Sequence, residues 1–162
     1  MKIYFAGPLF TEYERDYISK NAEILREHGI EPFVPHENSF KEEPSETRSR
    51  AKICLDKDFF GIDGANAMLA LVNGTEVDDG TACEIGIFHS LMKTDPTKKG
   101  IVALHADWRT RVGGEGKELN AFVKGCIEDV GVICTSLPDA IEKLLEWKQA
   151  LIDEGHLPER AQ

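Results

Sequence analysis

Ala67-Met68-Leu69-Ala70-Leu71-Val72, closed by Asn73-Gly74 and followed by Val77-Asp78-Asp79-Gly80-Thr81-Ala82-Cys83-Glu84-Ile85-Gly86, is the stretch that decides the fold. Its first part is apolar without the alternation of a half-exposed strand, which predicts a strand buried on both faces of a parallel sheet. Asn73-Gly74 ends that strand. Beyond Gly80 the apolar positions Ala82, Ile85, Phe88 and Met92 recur at helical spacing, so a helix is expected to start near Thr81 with Glu84 in its first turn. There the unpaired amides and the positive end of the helix favour a carboxylate in its charged form, by roughly 0.3–1 kcal/mol in exposed settings. Thr81-x-x-Glu84 also spells a capping box, in which the two side chains serve only each other's backbone amides. Asp78 adds weight to a functional reading. It precedes Glu84 by six residues and stands near the carboxyl end of the strand, where open α/β sheets gather their ligands. Asp79-Gly80 by itself is turn chemistry.

Outward from this stretch, strands alternate with helices and no repeat or low-complexity tract appears. Residues 2–6 read as the first strand, and Gly7-Pro8 as the turn into an amphipathic helix over 11–28 that Gly29 ends. Residues 30–34 form the second strand, 35–44 a polar loop, and 45–62 a helix with Ser45 as its N-cap. After strand three (67–72) and the helix over 81–92 come strand four at 101–105 and a Gly-rich loop through Gly113-Gly114-Glu115-Gly116. A short helix over 119–126, strand five at 130–134 and a last helix over 138–151 complete the pattern, with 155–162 frayed. The expectation is a single domain over 1–162. It is α/β, a doubly wound, flavodoxin-like five-stranded parallel sheet between helical layers, in the order 2-1-3-4-5 with right-handed crossovers. The cleft then falls at the switch between strands one and three.

With 162 residues the chain can bury roughly 68–70% of the surface it exposes when unfolded. Its 19 basic against 29 acidic side chains leave a net charge of −10. That charge repels phosphate backbones and anionic membrane surfaces, so a neutral small substrate fits better than a nucleic-acid polymer or a membrane. Cys54, Cys83, Cys126 and Cys134 form no C-x-x-C pair, and no signal peptide or long apolar span is legible, which points to the cytoplasm. The five histidines are too scattered for an obvious zinc cluster. Cys83 and His89 fall on different faces of one helix, and Cys83 reads as a packing residue.

At the switch point Tyr4, Phe10 and Glu84 are candidates to meet. Tyr4 in a strand is ordinarily core, yet its phenol is placed to orient Glu84. Phe10 is either a loop anchor or a flat wall for a planar ring. Asp56, Asp58 and Asp63 look like a solvated acidic face. Asp58 is set apart by its place near the C-terminal half of its helix, where the dipole disfavours a negative charge.

Four pieces taken together, Ile3-Tyr4-Phe5-Ala6-Gly7-Pro8-Leu9-Phe10, Asp58-Phe59-Phe60-Gly61-Ile62-Asp63, Asp78 to Gly86, and Asn120 in Glu118-Leu119-Asn120-Ala121-Phe122-Val123, resemble the nucleoside 2-deoxyribosyltransferases over residues 3 to about 125. Such enzymes exchange the base of a 2'-deoxynucleoside for another free purine or pyrimidine. The resemblance implies Glu84 as nucleophile, Asp58 and Asp78 as the groups that handle the base, Tyr4 as the residue that orients Glu84, and Phe10 and Gly7 in the substrate pocket. Asn120 matches a residue that the family donates from a neighbouring subunit, so a homo-oligomer with shared sites is implied. No metal or organic cofactor is called for.

The chemistry asks for the same residue types. Cleaving an N-glycosidic bond builds positive charge on the sugar and negative charge on the departing base, which a carboxylate and an acid respectively answer. An ionised Glu84 can form a covalent deoxyribosyl ester, and two inversions then give net retention. Asp78 or Asp58 has to be protonated as the base leaves, which neighbouring carboxylates and burial promote. Two other readings compete. Arg109 and Arg111, in a loop from Trp108 to Gly116 that reads as a lid, suggest a hydrolase of 2'-deoxynucleoside 5'-monophosphates on the same fold. The apolar turn Ala6–Phe10 and the acidic charge oppose it. A non-catalytic nucleotide-binding module, with its acids as caps and surface, is the third.

Overall fold

The computed structural model describes residues 1–38, 44–107 and 119–158. Five strands, β1 (Lys2–Ala6), β2 (Glu31–Phe33), β3 (Ala67–Leu71), β4 (Gly100–Leu104) and β5 (Val132–Cys134), pair in parallel in the order β2-β1-β3-β4-β5. The unalternating apolar strands explain this sheet, because both of its faces are covered. Ile3 and Phe5 of β1 join Leu69 of β3 in one core layer, with Ile18 and Leu25 of α1 (Glu12–Glu27) and Leu144 of α5 (Leu137–Asp153). Tyr4 and Ala6 face the opposite layer with Met68 and Ala70, under α2 (Arg50–Asp63), α3 (Asp79–Leu91) and α4 (Ala121–Val130), which contribute Ile62, Ile85, Phe88 and Ile127. The doubly wound sheet and its order are as the sequence predicts. Among the described residues no helix is long and apolar enough to cross a membrane.

Local capping chemistry sets where the helices start. Thr11 and Glu14 close a capping box at α1, with Glu14 Oε2 accepting from the Thr11 amide at 2.8 Å, and Gly29 ends the helix at φ 67°. α2 starts five residues later than the sequence suggests, with Ser49 rather than Ser45 as its N-cap. Ser45 is instead engaged in a turn with Arg48, and 45–49 present no apolar side chain for the core to hold. At the other end of α2, the buried Lys98 ammonium donates to the carbonyls of Asp63 at 2.7 Å and Ala65 at 2.9 Å, satisfying groups that the helix end leaves unpaired. α4 runs four residues beyond its expected end, to Val130, which shortens β5. Residues 155–157 are not frayed: Gly155 turns at φ 76°, and the amides of His156 and Leu157 return to the Leu151 carbonyl at 2.8 and 3.1 Å. The expected lid from Trp108 to Gly116, with Arg109 and Arg111, and the tail 159–162 lie outside the described residues.

Gly61 of α2 faces the ring of Phe33, and a Cβ there would stand 2.4 Å from Phe33 Cδ1. Phe33 in turn stacks on Tyr4, with ring centroids 5.8 Å apart. Gly61→Val is therefore expected to destabilise the fold by about 1–3 kcal/mol through overpacking, read as a lower denaturant midpoint. An unchanged midpoint would show that α2 is free to move away from β2.

Candidate active site

β1 and β3 are neighbours in the sheet although α1, β2 and α2 separate them in the chain, so side chains on β1 meet the helix that follows β3. That meeting is concrete. The Tyr4 hydroxyl donates to Glu84 Oε1 at 2.5 Å. Tyr4 has no exposed surface, so the two readings of it coincide: its ring belongs to the core, and its hydroxyl reaches the carboxylate. Burial first, and the Glu84 charge second, push the phenol far above its usual range, which keeps it a donor.

Glu84 stands in the second turn of α3, because the helix begins at Asp79 rather than near Thr81. The Thr81–Glu84 capping box does not form. Asp78 is the N-cap, its Oδ2 accepting from the Thr81 amide at 2.9 Å and from Thr81 Oγ1 at 3.1 Å. Nor does the helix start hold Glu84 ionised. Burial pushes its carboxyl from 4.5 up to about 7, the Tyr4 hydrogen bond pulling the other way and the charges of Asp58 and Asp78 adding to the rise. A shift of that size corresponds to about 3 kcal/mol, whereas a helix terminus offers about 0.3–1, so desolvation wins.

Asp58 joins this group from α2, and its charge is felt by both Tyr4 and Glu84. The Cys54 thiol, one turn earlier, donates to Asp58 Oδ2 at 3.1 Å. Oδ1 of Asp58 is buried with no hydrogen-bond partner, and the Lys57 ammonium lies 3.6 Å from it. Lys57 also donates to the Pro35 carbonyl at 3.0 Å, tying α2 to the end of β2. Asp56, by contrast, belongs to the surface, paired with Lys52 at 2.5 Å and Arg48 at 2.9 Å. Cys54 and Lys57 escaped the sequence reading. The signal was the i,i+4 spacing of Cys54 to Asp58, which has meaning only once Asp58 is known to face β1.

The other sequence candidates fall around this centre. Phe10 is 78% exposed in a loop that Arg15 holds through the Leu9 carbonyl at 2.7 Å. Gly7 serves close packing, since a Cβ there would lie 2.9 Å from Ile18 Cδ1 and 3.1 Å from Leu71 Cβ. Asn120 caps α4, its Oδ1 accepting from the amides of Phe122 at 3.0 Å and Val123 at 3.4 Å. Among the described residues no hydrogen bond joins Asn120 to Tyr4, Asp58, Asp78 or Glu84 of its own chain. Cys83 is exposed, not a packing residue, because its position on α3 turns away from the sheet. Among the described residues no group of three or more His, Cys, Asp or Glu is disposed to hold a metal ion.

An open α/β sheet with a buried tyrosine bonded to a half-buried glutamate, and two further carboxylates at its switch point, defines a class of site suited to a developing sugar cation. The sequence profile described as Nucleoside 2-deoxyribosyltransferase matches residues 3–131, and the chain belongs to that family. An uncharacterised protein of Ureaplasma parvum is 30% identical over 155 residues, 90% of this chain and 94% of that one. A conserved protein of Enterococcus faecalis superposes with a TM-score of 0.73 at 28% identity, over 93% of this chain and 99% of that one. The 2-deoxyribosyltransferase of Bacillus psychrosaccharolyticus shares the fold, with a TM-score of 0.64 at 24% identity over 87% of this chain and 90% of that one.

Proposed function

We propose that this protein transfers the 2-deoxyribosyl group between purine and pyrimidine bases of 2'-deoxynucleosides, with Glu84 as the nucleophile. The observation that carries the reading is the 2.5 Å bond from the Tyr4 hydroxyl to Glu84 at the switch point. In the first half-reaction Glu84 Oε attacks the anomeric carbon, the glycosidic bond breaks, and the base leaves with the bonding electron pair and a proton from Asp58 or Asp78. Tyr4 fixes the rotamer of Glu84 and, as a neutral donor, tempers the charge that burial disfavours. In the second half a free base attacks the anomeric carbon from the face opposite the ester, the anomeric C–O bond breaks with its electron pair returning to Glu84, and the N–H proton of the base passes to the same aspartate, so configuration is retained.

Incubation with deoxyinosine plus free adenine or cytosine, followed by chromatography, tests the reading. New deoxyadenosine or deoxycytidine is expected. Release of hypoxanthine without any new nucleoside would assign a hydrolase, and no turnover of deoxyinosine at all would overturn the exchange reading.

The reading extends to assembly. On this reading Asn120 serves a neighbouring subunit's site; the aromatic beside it, Phe122, is 79% exposed. Asn120→Ala is expected to weaken α4 by about 0.5–2 kcal/mol as a lost cap. Exchange is also expected to fall, roughly tenfold, from a lost hydrogen bond to the sugar. Mixed oligomers of Glu84→Ala and Asn120→Ala subunits should regain activity, since some sites then hold both native residues. A monomer at assay concentration, or inactive mixed oligomers, would refute the shared site.

A further inference from the structure

Asp58 differs in its two oxygens. Oδ2 accepts from the Cys54 thiol at 3.1 Å, whereas Oδ1 is buried and accepts no hydrogen bond. Its one charged neighbour among the described ion pairs is the Lys57 ammonium, and a buried carboxyl oxygen that accepts no hydrogen bond is costly, since most such atoms in proteins find a donor. Lys57, at 3.6 Å, is too far for a hydrogen bond to Oδ1, and it donates to the Pro35 carbonyl. From the other elements packed around the site, Tyr4 on β1 and Glu84 on α3 feel the Asp58 charge.

We infer that Cys54 is a positioning residue for the proposed exchange reaction: by holding Oδ2 as an acceptor, it reserves Oδ1 of Asp58 for the proton that passes to and from the base. The inference rests on the reading of Asp58 as a group that handles the base. Two features fit it. Cys54 and Asp58 are four residues apart on one helix, so the rigid backbone of α2 sets their geometry. The thiol is held above its usual range, first by its bond to Asp58 and then by burial, and so remains a protonated donor through the neutral region.

The test compares Cys54→Ala, Cys54→Ser and Asp58→Asn in the base-exchange assay across pH, with melting temperatures recorded for each. Cys54→Ala is expected to lower kcat roughly tenfold with a smaller change in KM. Its alkaline limb should move to higher pH, because the ionised carboxylate has lost a donor. Cys54→Ser, which restores a donor, should recover most of the rate. Wild-type rate and pH profile in Cys54→Ala, or equal losses in the alanine and serine variants, would overturn the inference while leaving Asp58 in place. Full activity of Asp58→Asn would instead overturn the reading of Asp58, and the role of Cys54 with it.

Discussion

Glu84→Gln is expected to lower kcat/KM for base exchange by at least about 10³-fold in a protein that folds as well as the wild type, because an amide keeps the size and the acceptor but cannot attack. The Tyr4 hydroxyl can still donate to the amide oxygen, so the 2.5 Å contact and the packing of β1 against α3 survive the change. Glu84→Ala should be equally inactive, and neither variant removes a helix cap, since Asp78 holds that position. Residual exchange within tenfold of wild type in a folded Glu84→Gln protein would show that another group attacks the sugar.

The pH dependence carries the second large effect. A carboxyl lifted from 4.5 to about 7 is only half ionised at neutrality. kcat/KM is then expected to fall about tenfold per unit below pH 7, roughly 100-fold by pH 5. The same shift sets the direction of a stability effect. The folded value lies above the unfolded one, so the contribution of Glu84 to stability is fully present below about 4.5 and is lost as pH rises through 7. Glu84→Gln cannot ionise and should be more stable than wild type at pH 8, on the order of 2–3 kcal/mol, with the difference vanishing near pH 4. Denaturant midpoints at the two pH values check it. A flat activity profile down to pH 5, or equal midpoints at pH 8, would mean that water reaches Glu84 far more freely than its burial implies. A site that carries destabilisation for the sake of a reactive carboxylate is a familiar bargain between stability and activity.

The sheet was legible because its strands are apolar on both faces, and β1 matches its expected bounds residue for residue. Topology made Tyr4 a candidate to meet Glu84, since the switch point brings β1 beside the helix after β3, and the resemblance gave its hydroxyl the orienting role. Helix starts were less legible. Thr81-x-x-Glu84 and Asp78-x-x-Thr81 are both plausible caps in the sequence, and the choice depends on how the chain leaves β3. It leaves with Asp78 extended, at φ −52° and ψ 136°, which puts the aspartate carboxylate over the first turn and frees Glu84 for Tyr4. The electrostatics of Glu84 could not be read from its place in a helix, because they are governed by desolvation, which depends on how the helix packs into the fold. Cys54 and Lys57 were hidden for a related reason. Which face of α2 meets the sheet is set by Gly61 lying against Phe33, a contact between elements far apart in sequence.

The most direct measurement is to trap the intermediate. The protein is incubated with deoxyinosine without an acceptor base, quenched in acid, digested and mapped by mass spectrometry. The account expects a 2-deoxyribosyl ester on the peptide that carries Glu84, absent from Glu84→Gln, and lost on addition of adenine as deoxyadenosine appears. Base exchange at full rate with no adduct, or with the sugar on a different residue, would contradict it.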